Sequence, residues 1–195
     1  MGFGGTYIAV PAQIAVQPFS PEFAKISGRW YCSNSRGDAP TPVVITEDRL
    51  QASPLIFAQR TSIDRLGVRI TTAQVGANIR LALYAATSAT DPYPGALLAQ
   101  SGAISAATTG DKTYIVALTL PAGIYWIVVC TGTVGVQCYS FDATMSPAPL
   151  GAIDMDGNAA ANGYSPNAAF GVLPDPYPAA ADPEVIDTYG MVRVA

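Results

Sequence analysis

Apolar and polar positions alternate most regularly in the middle of the chain. In Ile63 to Ile70, Leu66, Val68 and Ile70 alternate with Arg65, Gly67 and Arg69; in Asn78 to Tyr84, Ile79, Leu81 and Leu83 alternate with Asn78, Arg80 and Ala82. A period of two with one polar face marks a half-buried β-strand, and it points the arginines toward solvent or a neighbouring subunit. Lys112 to Leu120 continues the pattern, with Tyr114, Val116, Leu118 and Leu120 on one face. Ile124 to Cys130 is apolar on both faces, which predicts a central strand covered on each side. Pro121 and Gly123 are spaced for a type I turn before it, and Thr131 to Gly135 supplies another turn before Val136 to Phe141. These three strands are expected to form a meander.

Shorter strand candidates are Arg29 to Cys32, Val43 to Thr46, Leu55 to Gln59 and Ala96 to Gln100, with Val185 to Val194 as a closing strand. Asp91 to Gly95 (DPYPG) is a rigid turn. No segment longer than about ten residues has helical periodicity. Short strands separated by turn signals predict an all-β fold, an antiparallel β-sandwich of jelly-roll-like kind. Met1 to Gly28 carries Pro11, Pro18 and Pro21 and neither period, so it reads as an extended N-terminal arm, with the sandwich over 29–195. Ser146 to Asp182, rich in Pro, Ala, Gly and Asn, is a long loop region expected to pack over a sandwich end or to take part in binding.

Composition narrows the function classes. Only 12% of the 195 residues are charged and 50% are hydrophobic, with 18 Gly and 16 Pro, against roughly 25% charged in an ordinary domain. Much of the surface is therefore small and uncharged, or buried against other subunits. The net charge is −4 and the basic residues are scattered singly, which argues against a nucleic-acid partner. Histidine is absent, removing His-dependent triads, bases and zinc sites. Thr113 to Phe141 carries no charge, but Pro121-Ala122-Gly123 breaks it, so no membrane insertion is expected. The first basic residue is Lys25, leaving the apolar stretch Tyr7 to Val16 without the flank of a secretion signal. Met1 to Thr6 matches the loose myristoylation pattern, a match common by chance.

Candidate chemistry is sparse. Cys32, Cys130 and Cys138 have no metal-ligand spacing. Cys130 and Cys138 flank a turn and are placed to face each other across it, although buried free thiols are the favoured reading. Arg36-Gly37-Asp38 spells an integrin-binding tripeptide but reads as a turn. Asp154, Asp156 and Asn158 offer loop oxygens for Ca²⁺, but Gly157 is out of place for the EF-hand pattern and no Glu closes the site. Glu47 and Asp48 are adjacent, the wrong spacing for a paired-carboxylate hydrolase, and suit a solvated turn. Tyr93, Tyr125, Trp126, Tyr139, Tyr164 and Tyr177 could stack on sugars if exposed, and Tyr93, Tyr164 and Tyr177, in predicted loops, are the candidate ligand contacts. No catalytic motif, metal or cofactor is indicated, and no enzyme activity is expected.

The order SIDRLGVRIT, ANIRLALYAA, PGALLAQSG and TTGDKTYIVALTLPAGIYWIVVCTG, covering about Leu55 to Phe141, resembles a β-sandwich module of bacteriophage tail, fibre and head-decoration proteins. The resemblance implies a virion component, typically homotrimeric, whose arm docks on the particle while the sandwich projects. It implies partners among other copies, other virion proteins and host surface glycans, and no catalytic residues. "PAGxYW" hairpins also occur in carbohydrate-binding and bacterial surface sandwiches, so a sugar-binding module on a phage or bacterial surface is the alternative.

Overall fold

The computed structural model describes residues 25–32, 41–88, 91–140, 163–179, 183–184 and 190–195. Two antiparallel sheets pack face to face, and the described residues contain no helix. The first sheet contains β1 (Trp30–Tyr31), β2 (Thr41–Val44), β4 (Thr61–Thr72), β8 (Gly110–Leu120), β10 (Gln137–Ser140) and β13 (Met191–Val194). The second contains β3 (Gln51–Phe57), β5 (Asn78–Ala86), β6 (Pro94–Gln100), β7 (Ile104–Ser105), β9 (Gly123–Thr131), β11 (Gly163–Tyr164) and β12 (Pro183–Glu184). This is the antiparallel β-sandwich that the alternating pattern predicts.

The strands with the cleanest period form the frame. β4 organises the first sheet: β8 pairs along one side, and β13 and then β10 lie end to end along the other. β9 sits between β3 and β5, and its seven residues from Tyr125 to Thr131 are all buried. A strand apolar on both faces needs cover on both, and β9 has it. Between the sheets Ile63, Leu66, Val68 and Ile70 of β4 meet Ile79, Leu81 and Leu83 of β5 and Ile127 and Val129 of β9.

The expected meander is corrected. β8 belongs to the first sheet, β9 to the second and β10 to the first again. The turns at Pro121 and at Thr131 to Gly135 are therefore arches between sheets, not hairpins within one. Turn residues reverse the chain in either case, and period two marks only which side chains are buried. The closing strand ties the chain ends together as expected. β13 pairs with both β4 and β1, and the Gly28 amide donates to the Val194 carbonyl at 2.8 Å. Lys25 stacks over Tyr31, 4.5 Å from the ring centroid, so the last residues of the expected arm belong to the folded body. Residues 1–24 of that arm lie outside the described residues.

β3 begins at Gln51, four residues before its expected start, and runs straight through Pro54. β9 pairs along its whole length, whereas β11 pairs on the other side only at Ala52. Pro54 lacks an N–H to donate, and the free edge beyond Ala52 is where that lack does no harm.

Candidate functional site

The three tyrosines singled out from the sequence come together, but not as an exposed platform. Tyr164 and Tyr177 are only 7% and 3% exposed, and Tyr93 is half-buried. The Tyr93 ring lies 4.6 Å from Tyr164 and 6.0 Å from Tyr177, both edge-on, and Tyr164 stands 5.2 Å from Trp126. Residues 163–179 lie across the outer face of the second sheet, where Leu50, Ala52, Ala82, Tyr84, Trp126, Val128 and Cys130 meet Tyr164, Leu173 and Tyr177 in a second core. The loop region thus covers a sheet face, whereas a sandwich end was one of its expected places.

Polar tips of the aromatics hold this cover down. Tyr84 Oη donates to the Pro174 carbonyl at 2.7 Å, Tyr93 Oη to Pro178 at 2.5 Å, and Tyr177 Oη to Leu50 at 2.6 Å. Trp126 Nε1 donates to the Pro92 carbonyl at 2.6 Å. Buried Tyr and Trp need such partners, and a proline-rich segment, poor in regular pairing, offers its carbonyls. Burial raises the Tyr84 phenol above its ordinary range, which keeps it a neutral donor, and raises the Tyr164 phenol as well. The condition for sugar stacking, exposure, is therefore not met by Tyr164 and Tyr177, which are buried in the second core, while half-buried Tyr93 packs against it.

Arg80, expected to point to solvent or a neighbour, is under the same cover. Its Nη1 donates to the Ser101 carbonyl at 2.9 Å, and its guanidinium lies 5.8 Å from the Phe170 ring centroid. Asp48 holds the far end of the cover, its Oδ1 accepting from the Phe170 amide at 2.9 Å in a backbone with φ of 51°. Glu47 beside it is exposed, as a solvated turn requires. Tyr125 and Cys138 belong to the inter-sheet core, and Cys130 to the second core. None of the three cysteines forms a disulfide. Burial pushes Cys130 and Cys32 up to about 11. Arg36 to Asp38 and Asp154 to Asn158 lie outside the described residues.

The outer face of the first sheet contrasts with this. No described segment lies across it, and Ile115 and Val44 project from it, 74% and 50% exposed. β8 borders it and, among the described residues, pairs only with β4. From Thr113 to Leu120 this edge strand has no charge, proline or glycine, and its outward row of Thr113, Ile115, Ala117 and Thr119 is exposed. Charged pairs also lie on the face: Arg69 of β4 pairs with Asp111 at 2.8 Å, and Arg193 of β13 makes a two-pronged contact with Asp64, at an irregularity in β4. Strand alternation identified the outward row, but only the topology shows that it lies at an edge.

Comparison with family models, with curated proteins and with solved structures finds no match to this chain.

Proposed function

We propose that this chain is a non-enzymatic structural component of a bacteriophage particle, a fibre, tail or head-decoration protein acting in assembly or host attachment. The observation that carries the reading is the edge of β8. Native proteins blunt a long free edge with lysine, proline, bulges or brevity, because unpaired N–H and C=O groups recruit other strands. β8 has eleven residues, its pairing to β4 is irregular only between Leu118 and Ile115, and its stretch from Thr113 onward has no lysine or proline. Such an edge suits a strand that is covered in an assembly. Its occupant in this reading is a neighbouring copy of the same chain, since two uncharged rows meet without like-charge repulsion. The resemblance to phage virion modules supports a closed trimer, with the uncharged stretch Tyr7 to Val16 available for contacts to the particle.

The test is the mass of the full chain in solution by light scattering, beside the doubly substituted Ile115→Lys, Ala117→Lys protein. Wild type is expected as a closed oligomer, and the variant as a monomer with an unchanged urea midpoint, because both side chains already face outward. A monomeric wild type across the accessible concentration range would remove the support that the edge gives.

A further inference from the structure

We infer that the outer face of the first sheet carries a saccharide-binding cleft built around Gly67 and Trp30. This rests on the host-attachment side of the proposed function and names the class of ligand.

Gly67 sits in the middle of β4 with Met191 of β13 opposite on one side and Thr113 of β8 on the other. Glycine weakens a strand interior by about 0.5–1 kcal/mol relative to alanine, so a central one calls for a close approach that repays it. The approach here is an indole. A Cβ on Gly67 would lie 2.7 Å from Cζ3 and 2.8 Å from Cη2 of Trp30. Without it, Trp30 reaches over β4 from β1 and lies close against the sheet.

The missing side chain leaves a half-open cleft of about 140 Å³ between the indole and Met191 on one side and Arg69, Asp111 and Thr113 on the other. That is the volume of roughly four to five waters, enough for one ring-sized group. Its two walls differ in chemistry. Trp30 and Met191 give an apolar wall with a flat aromatic element. Opposite them, the exposed Arg69–Asp111 pair places donors and a carboxylate acceptor side by side, 2.8 Å apart, with the Thr113 hydroxyl on the same row.

A pyranose fits such a site. Its C–H face lies on an aromatic surface, and its neighbouring hydroxyls each need a donor and an acceptor, which an Arg–Asp pair supplies together. A peptide or a second sheet would leave one wall unmatched, since an apolar strand buries the Arg69–Asp111 pair with no hydrogen bond beyond their mutual one and a charged segment wastes Trp30. Of the aromatic candidates from the sequence, Tyr93, Trp126, Tyr164 and Tyr177 are spent on the second core and Tyr125 on the inter-sheet core, whereas Trp30, in a two-residue strand at the sheet margin, keeps part of its surface open.

The test uses the full chain on an array of oligosaccharides from bacterial lipopolysaccharide and capsule, with affinities then measured by tryptophan fluorescence. Trp126 is fully buried, so the change on binding reports Trp30. Wild type is expected to bind a subset of the array. Trp30→Ala and, independently, Asp111→Ala are expected to weaken binding at least about tenfold. Asp111 is exposed on an edge strand, so its substitution tests the cleft even if the Trp30 variant loses β1. No binding anywhere on the array, or binding that both substitutions leave intact, overturns the inference. Neither result touches the proposed assembly role, whose readout is the mass of the same samples. If Trp30→Ala instead dissociates an oligomer that binds no sugar, the cleft is a subunit contact and the inference fails.

Discussion

Replacing Tyr177 by phenylalanine removes one oxygen from the second core and leaves the ring in place. That hydroxyl donates to the Leu50 carbonyl at 2.6 Å and lies 3.2 Å from the Tyr164 carbonyl, so it ties the cover to the residue just before β3. The ring also stands edge-on to Tyr84, its centroid 5.2 Å away, and the residue is 3% exposed. The net value of one buried hydrogen bond is about 1 kcal/mol, rising to about 3 kcal/mol where the orphaned carbonyl finds no water. Tyr177→Phe is thus expected to cost about 1–3 kcal/mol, and Tyr177→Ala, which also opens a cavity, about 3–5 kcal/mol. In thermal unfolding each kcal/mol corresponds to a fall of about 2–4 °C for a domain of this size. Urea titration followed by Trp126 fluorescence measures both losses, because Trp126 packs within the same core against Tyr164. Tyr177→Phe within about 0.5 kcal/mol of wild type, the range of an ordinary surface change, together with a loss of less than about 1 kcal/mol for Tyr177→Ala, would refute the reasoning. The cover would then be a loosely held segment and its tyrosines available to a ligand after all.

Other outcomes follow from named contacts. Arg193 beside Asp64 holds the Asp64 carboxyl below the usual carboxylate range, chiefly by hydrogen bonding, so the stabilisation is present at neutral pH and lost as pH falls through the depressed value. Urea midpoints of wild type and Asp64→Asn should therefore differ at neutral pH and converge in strong acid; a gap constant with pH would mean that the charge is irrelevant. Cys130 and Cys138 are buried and not in a disulfide, so a thiol reagent at mildly alkaline pH should modify them only in denaturant, with half-buried Cys32 reacting first. Gly190→Ala would drive a methyl group into Ile127 and to 3.2 Å from Val129 Cγ2 at the entry to β13, an overpacking expected to cost about 1–3 kcal/mol by calorimetry.

The legible part of the fold was the part where burial and period coincide. β4, β5, β8 and β9 could be read from alternation because each has at least one face in the inter-sheet core, and β9 stood out as central because both its faces are covered. Which strands are neighbours was not legible. The turn at Pro121 to Gly123 has residues that serve a hairpin, yet the chain passes between sheets there; the choice is made by what β8 and β9 pack against, which local sequence does not encode. The same limit misplaced Tyr164 and Tyr177. Their proline-rich surroundings signal absence of regular structure and leave exposure open, and an irregular segment is buried when its aromatics find an apolar sheet face and its carbonyls find phenols. Arg80 follows the strand period correctly and ends up covered for the same reason. The cleft at Gly67 was the least visible: Gly67 appeared as one polar-phase position in β4, and Trp30 belongs to a strand far away in sequence. Only the pairing of β1 with β13, and of β13 with β4, brings them together.

The central claim is that this chain is built into a phage particle, and the most direct measurement is mass spectrometry of particles purified from the host that expresses it. The expected result is peptides of this chain in the banded particles, at a copy number set by particle symmetry and in multiples of three. Peptides confined to the soluble fraction, with none in washed particles, would contradict it.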